Sequence, residues 1–112
     1  AHPFKSKEER DEYLEFVKQI TTKYHTHYYL DDDPLLTDLF ALHLNKDTYN
    51  IIFYKDPKDI EEYCYLKELK KQAFKDGNYS NLRHGIAYRF GKLLSYPDDT
   101  IEEYIASNNE KE

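Results

Sequence analysis

A helix, a sharp stop and a second helix are encoded between residues 83 and 105, and this stretch limits the fold more than any other. The residue before a proline avoids the α-helical region, so the first helix ends before Tyr96, and Pro97 can begin the second. Apolar residues recur at helical spacing on both sides of this stop. We therefore predict helices at 81–94 and 97–106.

Small residues in the first of these helices indicate close packing. Ala87 and Gly91 lie four positions apart and form a smooth strip on one face. A glycine inside a helix costs about 1 kcal/mol relative to alanine, so Gly85 and Gly91 need a structural reason. Close packing and close approach to a ligand are the two candidate reasons, and packing is the commoner one.

The run from Gly91 to Pro97, GKLLSYP, is followed by acidic residues and then by Ile101 and Ile105. It resembles a C-terminal segment of uncharacterised archaeal and bacterial families that reads Gly-Lys-Leu-Leu-Gly-Tyr-Pro. This chain has Ser95 where those families have glycine, and it lacks the cysteines that some members carry after the proline. The resemblance implies a shared helix–turn–helix-like corner and no activity.

Two further helices are predicted upstream. Ser6 and Glu9 have the spacing of a capping box and begin a helix at 7–24. Its apolar residues recur at helical spacing, and we predict that they face the core: Tyr13, Phe16, Val17, Ile20 and Tyr24. The pair Asp56-Pro57 begins a helix at 57–74.

A small antiparallel sheet completes the predicted fold. The strongest strand is 48–54, TYNIIFY, which is rich in β-branched and aromatic residues. A strand needs a partner, and the candidates are 24–30, 40–44 or both. We place a short helix at 34–40, ahead of the hairpin. The fold class is thus helix-dominated α+β with four main helices, and the alternative is an all-α fold.

Composition limits the size and the setting of this protein. A chain of 112 residues fits a single domain over 1–112, with loosely ordered tails at 1–5 and 107–112. Its net charge of −6 argues against a general nucleic-acid or membrane-surface binder. The single cysteine, Cys64, indicates a reducing compartment, and no apolar run reaches membrane length. We expect a cytoplasmic protein of archaeal or viral source, in the host cytoplasm if viral.

Histidines and aspartates between residues 25 and 33 form a candidate metal site. On a strand, His25 and His27 share one face and can reach one ion. Asp31 and Asp33 belong to an acidic triplet that offers hard oxygen ligands, with His43 or His84 as alternative ligands. The simpler interpretation is a solvated helix cap beside two surface histidines.

Basic residues are concentrated between residues 65 and 95. Seven lysines and arginines against two acids give this segment +5, which leaves −11 for the rest of the chain. Tyrosines and a histidine are interleaved with the cations, as on surfaces that hold single-stranded nucleic acid. This candidate basic face consists of Lys67, Lys71, Lys75, Arg83, His84, Tyr88, Arg89 and Lys92. The simpler interpretation is a solvated face, or one paired with acids.

These patterns favour a non-enzymatic binding or regulatory protein without a cofactor, acting through the basic face. Its partner is expected to be a protein or a second copy, with single-stranded nucleic acid as a further possibility. One alternative is a metal-assisted hydrolase or nuclease that uses a divalent ion at His25, His27 and Asp31–Asp33. Another is an acidic viral inhibitor that mimics nucleic acid. No activated nucleophile or phosphate-binding loop is apparent.

Overall fold

The computed structural model describes the backbone from His2 to Glu112 and the side chains from Phe4 onwards. Ala1, part of the predicted N-terminal tail, lies outside the described residues. In chain order the elements are β1 (His2–Phe4), α1 (Lys7–Glu12), α2 (Leu14–Lys23), β2 (His27–Asp31), α3 (Leu42–Asn45), β3 (Tyr49–Tyr54), α4 (Pro57–Lys75), α5 (Tyr79–Leu93) and α6 (Asp98–Ser107). The predicted helix-dominated α+β fold is confirmed, and the sheet excludes the all-α alternative.

The elements belong to two compact units. Unit 1 contains the chain up to Pro34 together with Asn45–Ile60. Unit 2 contains Leu35–Leu44 together with Glu61–Glu112. The ten residues from 35 to 44 therefore interrupt unit 1 in sequence but pack with unit 2.

The sheet lies in unit 1 and has β3 between β1 and β2. Both pairings are antiparallel, with Leu30 opposite Ile51 in the β2–β3 pair and Phe4 opposite Tyr49 in the β1–β3 pair. The predicted pairing of the 24–30 segment with the main strand is thus confirmed for residues 27–30, whereas residues 24–26 form the end of α2 and the turn after it. Residues 2–4 were expected in a loose tail and instead form β1, because the buried ring of Phe4 anchors them.

The prediction for residues 34–44 is wrong in both of its parts. No helix forms at 34–40, where the hydroxyl of Thr37 accepts the backbone N–H of Leu39 at 3.2 Å and competes with helical bonding. No strand forms at 40–44, where the N–H of Leu44 bonds locally to the carbonyl of Ala41 at 3.1 Å. The end of this segment instead forms the short helix α3, which runs from Leu42 to Asn45.

The predicted helix at 7–24 is present but interrupted at Tyr13, between α1 and α2. Ser6 caps its start as expected, since the Ser6 Oγ accepts the Glu9 N–H at 3.1 Å. Tyr13 itself keeps right-handed helical angles, with φ −85° and ψ −6°. Helices α1 and α2 therefore follow one another with Tyr13 alone between them.

The three later helices match their predicted ranges closely. The helix predicted at 57–74 is α4, which ends one residue later at Lys75. The helix predicted at 81–94 is α5, which begins two residues earlier at Tyr79 and ends at Leu93. The helix predicted at 97–106 is α6, which begins after Pro97.

Each unit has its own apolar core. In unit 1, Phe4, Val17 and Ile51 pack together with Tyr28 and Leu30 around them. In unit 2, one cluster joins four buried residues from the 35–44 segment, α5 and α6: Leu39, Ala87, Ile101 and Ile105. A second cluster joins the end of α4 to the start of α5 through Ala73, Tyr79 and Ile86.

Helices α5 and α6 approach each other most closely at Gly91. A Cβ atom added there would lie 2.6 Å from Cγ1 of Ile101 and 2.7 Å from its Cδ1. These distances are too short for two carbon atoms in contact. The predicted strip of small residues is therefore used for close packing, and Gly85, where an added Cβ meets nothing within 4 Å, does not share this role.

Three helices end in the same way. The second residue after each helix adopts positive φ, at His25 (56°), Gly77 (72°) and Ser95 (67°). The N–H of the next residue then bonds back to a carbonyl five positions earlier, at 2.9–3.0 Å. This is the Schellman arrangement, for which glycine is the favoured residue. Ser95 thus occupies a glycine conformation at the position where the resembling families have glycine.

The C-terminal residues, predicted as a loose tail at 107–112, make specific contacts within unit 2. The side-chain amide of Asn108 donates to the carbonyls of Asp38 and Phe40 at 3.0 and 3.1 Å. The carbonyl of Glu110 accepts the N–H of Leu42 at 3.1 Å. The prediction missed these contacts because their partners lie far away in the sequence.

Substituting the two helical glycines by alanine should have opposite effects. We expect Gly85→Ala to raise the free energy of unfolding by about 1 kcal/mol, since it gains helix propensity in open space. Gly91→Ala gains the same propensity but forces Ile101 to move, at a cost of roughly 1–3 kcal/mol, so a net loss is expected. Urea denaturation of both variants measures the two effects, and equal shifts would contradict the close contact at Gly91.

Replacing Ser95 with glycine should stabilise the protein. Gly adopts positive φ without the steric cost of a Cβ atom, so we expect Ser95→Gly to raise the free energy of unfolding by about 1 kcal/mol. Ser80→Gly is the matched control, because Ser80 lies within α5 and glycine lowers helix propensity there. Thermal unfolding compares the two, and destabilisation by Ser95→Gly would refute the assigned helix end.

Candidate protein-binding surface

The central basic residue, Arg83, is engaged inside unit 2. Its Nε and one terminal nitrogen donate to the two carboxylate oxygens of Asp38 at 2.7 and 3.0 Å, and Asp38 is buried. The same guanidinium donates to the backbone oxygen of Glu112 at 2.6 Å. The hydrogen bonds to Asp38, followed by the negative charge of Asp38, raise the pKa of Arg83 further above its ordinary value. Arg83 therefore holds the 35–44 segment in place.

Four other members of the basic face also have acidic partners in unit 2. Arg89 and Glu62, Lys92 and Asp98, and Lys71 and Glu68 form ion pairs at 2.7–3.7 Å, and Nε2 of His84 lies 3.0 Å from a carboxylate oxygen of Glu102. The hydroxyl of Tyr88 also bonds to Asp98, which raises the pKa of Tyr88. Bonds from Lys92 and Tyr88 lower the pKa of Asp98, which therefore stays ionised at neutral pH.

Two lysines of the basic face lie along α4. Lys67 places its Nζ 5.6 Å from the centre of the Tyr63 ring, and Lys75 is exposed at the end of the helix. A polyanion on this face would have to compete with the intramolecular carboxylates for most of its contacts. The positive charge of residues 65–95 is thus largely balanced by carboxylates of unit 2.

The predicted metal ligands are dispersed over a turn and a strand of unit 1. His25 lies in the left-handed turn after α2, while the His27 ring packs 5.2 Å from that of Tyr54. Asp31 is buried at the end of β2 and accepts the N–H of Asp33 at 3.3 Å. Across the described residues, no three His, Cys, Asp or Glu side chains are grouped as metal ligands.

A groove in unit 2 has an aromatic wall formed by Phe40, Tyr96 and Tyr104. Their ring centres are 5.7–6.4 Å apart, and the groove encloses about 450 Å³. Its polar groups already serve the fold, since Asn108 bonds to backbone carbonyls and Glu110 accepts from His43 at 2.9 Å. The contact with His43 lowers the pKa of Glu110.

The most conspicuous exposed surface is on α2 in unit 1. Tyr13, Phe16 and Tyr24 remain 49%, 59% and 58% exposed, and Ile20 lies half-buried between them. We call these four residues the aromatic stripe. The sequence analysis expected them to face the core together with Val17, which alone among the five is buried.

The helix has a second apolar face, and this face meets the sheet. Val17 and Thr21 are buried, and Leu14 is half-buried. Val17 packs on Phe4 and Ile51, and of the aromatic stripe the Tyr13 ring reaches this contact, 5.3 Å from the ring of Phe4. The signal was present in the sequence, because Leu14, Val17 and Thr21 recur at helical spacing beside the aromatic residues.

Comparison of the chain with protein-family models, curated proteins and solved structures finds no match. Every helix in the described part of the chain is too short or too polar to cross a membrane. The fold and its surfaces thus define a helix-dominated α+β protein with an exposed aromatic helix face.

Beside Arg83, the buried hydroxyl of Tyr79 has no hydrogen-bond partner among the described residues. Burial raises the pKa of Tyr79 from 10.0 to about 12, and the charge of Asp38 adds to this. Ionisation is therefore easier in the unfolded chain. The resulting stability is present below pH 10 and is lost as the pH rises towards 12.

Tyr79→Phe should therefore change both the stability and its pH dependence. At neutral pH we expect the free energy of unfolding to rise by up to about 1 kcal/mol, because an unpaired buried hydroxyl is removed. As the pH rises from 10 to about 12, the free energy of unfolding should fall by roughly 2 kcal/mol less in the variant than in the parent protein. Urea denaturation at several pH values measures this difference.

Tyr63→Phe is the matched control, since the Tyr63 hydroxyl accepts the N–H of Leu35 at 2.9 Å. Losing that bond should cost about 1 kcal/mol at neutral pH. Similar losses in both variants would show that the Tyr79 hydroxyl has a partner after all.

Proposed function

We propose that this protein is a non-enzymatic binding module that recognises a protein through the aromatic stripe. The observation that carries the proposal is the exposure of three aromatic rings in one line along α2. The largest contiguous apolar patch on a monomeric protein is often functional. Tyrosine is also enriched among the residues that contribute most to protein–protein affinity.

Phe16 is the residue that best marks this surface. Three exposed aromatic residues elsewhere have contacts within unit 2: the guanidinium of Arg89 lies 5.0 Å from the centre of the Tyr65 ring, Phe74 stacks on Tyr79 at 4.4 Å, and Tyr104 belongs to the aromatic wall of the groove. Within the stripe, the Tyr13 ring lies 5.3 Å from that of Phe4, and the ammonium of Lys23 lies 5.3 Å from the centre of the Tyr24 ring. Phe16 presents the largest exposed fraction among the large apolar residues.

The charges favour a protein over a nucleic acid as the partner. Arg83, Arg89 and Lys92 of the basic face are bonded to carboxylates within unit 2. A nucleic acid would have to displace these bonds while meeting a chain of net charge −6. The proposal therefore retains the binding module inferred from the sequence and moves its surface to α2. A cytoplasmic location is part of the proposal, in keeping with the single cysteine.

Site-specific photo-cross-linking tests the proposal. A photoreactive phenylalanine analogue is placed at Phe16, and the purified protein is irradiated in an extract of the source cells. We expect covalent adducts with a discrete protein, because the analogue lies in the centre of the aromatic stripe. Excess parent protein should suppress these adducts, and excess Phe16→Glu variant should not.

The control carries the same analogue at Thr22, which is exposed on the opposite side of α2. The Thr22 hydroxyl bonds only to its own helix, at the carbonyl of Lys18, so no interface is expected there. Equal adducts at both positions, or none at Phe16, would refute the proposed function.

A further inference from the structure

The two ends of the aromatic stripe carry opposite charges. Glu12 lies beside Tyr13 at the end of α1, and Lys23 lies beside Tyr24 at the end of α2. Eleven residues separate Glu12 from Lys23, and eleven separate Tyr13 from Tyr24. Because eleven residues are about three helical turns, the members of each pair lie on the same side of the helix.

We propose that the partner is a second copy of this chain, whose α2 packs antiparallel on the aromatic stripe. This inference rests on the function proposed above. A two-fold axis near the middle of α2 places Tyr13 opposite Tyr24 of the second copy and Phe16 opposite Ile20. The same axis places Glu12 opposite Lys23, and it does so twice, once at each end of the interface.

The charge pattern selects the antiparallel orientation. In a parallel pair both copies of Glu12 would lie at one end and both copies of Lys23 at the other, so that opposite charges would not meet. Lys18, the charged residue nearest the axis, lies on the far side of the helix and pairs with Glu15 at 3.4 Å. No like charges therefore meet at the centre of the antiparallel pair.

The exposed area indicates a weak dimer. Three half-exposed aromatic rings present roughly 300 Å² per copy, less than half of the ~800 Å² that each partner buries in a standard interface. Interfaces of this size belong to transient complexes. We therefore expect a monomer–dimer equilibrium with a dissociation constant on the order of tens of micromolar.

Sedimentation equilibrium of the purified chain measures this association between roughly 5 and 500 µM, a range that brackets the expected constant. The parent protein should pass from monomer to dimer, and Phe16→Glu should remain monomeric throughout. Circular dichroism confirms that the variant is folded, and Phe16→Ser replaces it if it is not. A parent protein that stays monomeric at every concentration, or a Phe16 variant that dimerises normally, overturns the inference.

Charge reversal tests the orientation. Glu12→Lys and Lys23→Glu each place like charges opposite one another and should weaken dimerisation by about tenfold or more. The double variant Glu12→Lys/Lys23→Glu restores opposite charges and should recover the affinity of the parent. Recovery is expected only if these residues meet across the interface. Double variants as weak as the single ones overturn the antiparallel pairing.

Thr22→Glu, on the opposite side of α2, is the control and should dimerise like the parent. The dimerisation test and the cross-linking test can fail independently of each other. A monomeric chain that still forms adducts from position 16 with a different protein refutes self-association and leaves the binding module intact. A monomeric chain without adducts refutes both.

Discussion

The ion pair between Arg83 and Asp38 is the interaction on which unit 2 depends. Asp38 is buried in a segment without regular structure, and a buried carboxylate is costly unless a cation offsets it. Arg83 offsets the charge with two parallel hydrogen bonds, and Asn108 satisfies the carbonyl of the same aspartate. Lys70 adds a bond to the carbonyl of Leu36 at 2.6 Å. Side chains from α4, α5 and the C-terminal residues thus replace the backbone bonds that a helix would have supplied.

This arrangement determines which surfaces remain for recognition. Because the cations of α5 are bonded to acids of their own unit, electrostatic attraction to a polyanion is weakened where the sequence suggested it most. Unit 1 has the opposite character, since its helix needs only Val17 and Thr21 against the sheet and leaves larger aromatic residues outside. Recognition is thus expected to depend on apolar contact, with charge setting orientation.

Local patterns in the sequence were sufficient for α4, α5, α6 and β3, whose periodicity and proline positions are short-range signals. The 35–44 segment was not predictable in this way, because Asp38 finds Arg83 forty-five residues later. The residues of the aromatic stripe were recognised but assigned to the core. Periodicity identifies an apolar face, but two adjoining faces compete for one sheet, and packing decides between them. The close contact at Gly91 was predictable, since glycine within a helix requires a reason.

The order of the two units along the chain has a consequence for synthesis. Unit 1 lacks the central strand of its sheet until residues 49–54 have been made, because β1 and β2 pair only with β3. The hydrogen-bond partners of residues 35–44 are synthesised later still, because they include Arg83, Asn108 and Glu110. The nascent chain must therefore keep this leucine-rich segment unpaired until nearly all of these 112 residues have emerged from the ribosome. Unit 2 is thus expected to complete its fold only after the three strands of unit 1 have been made.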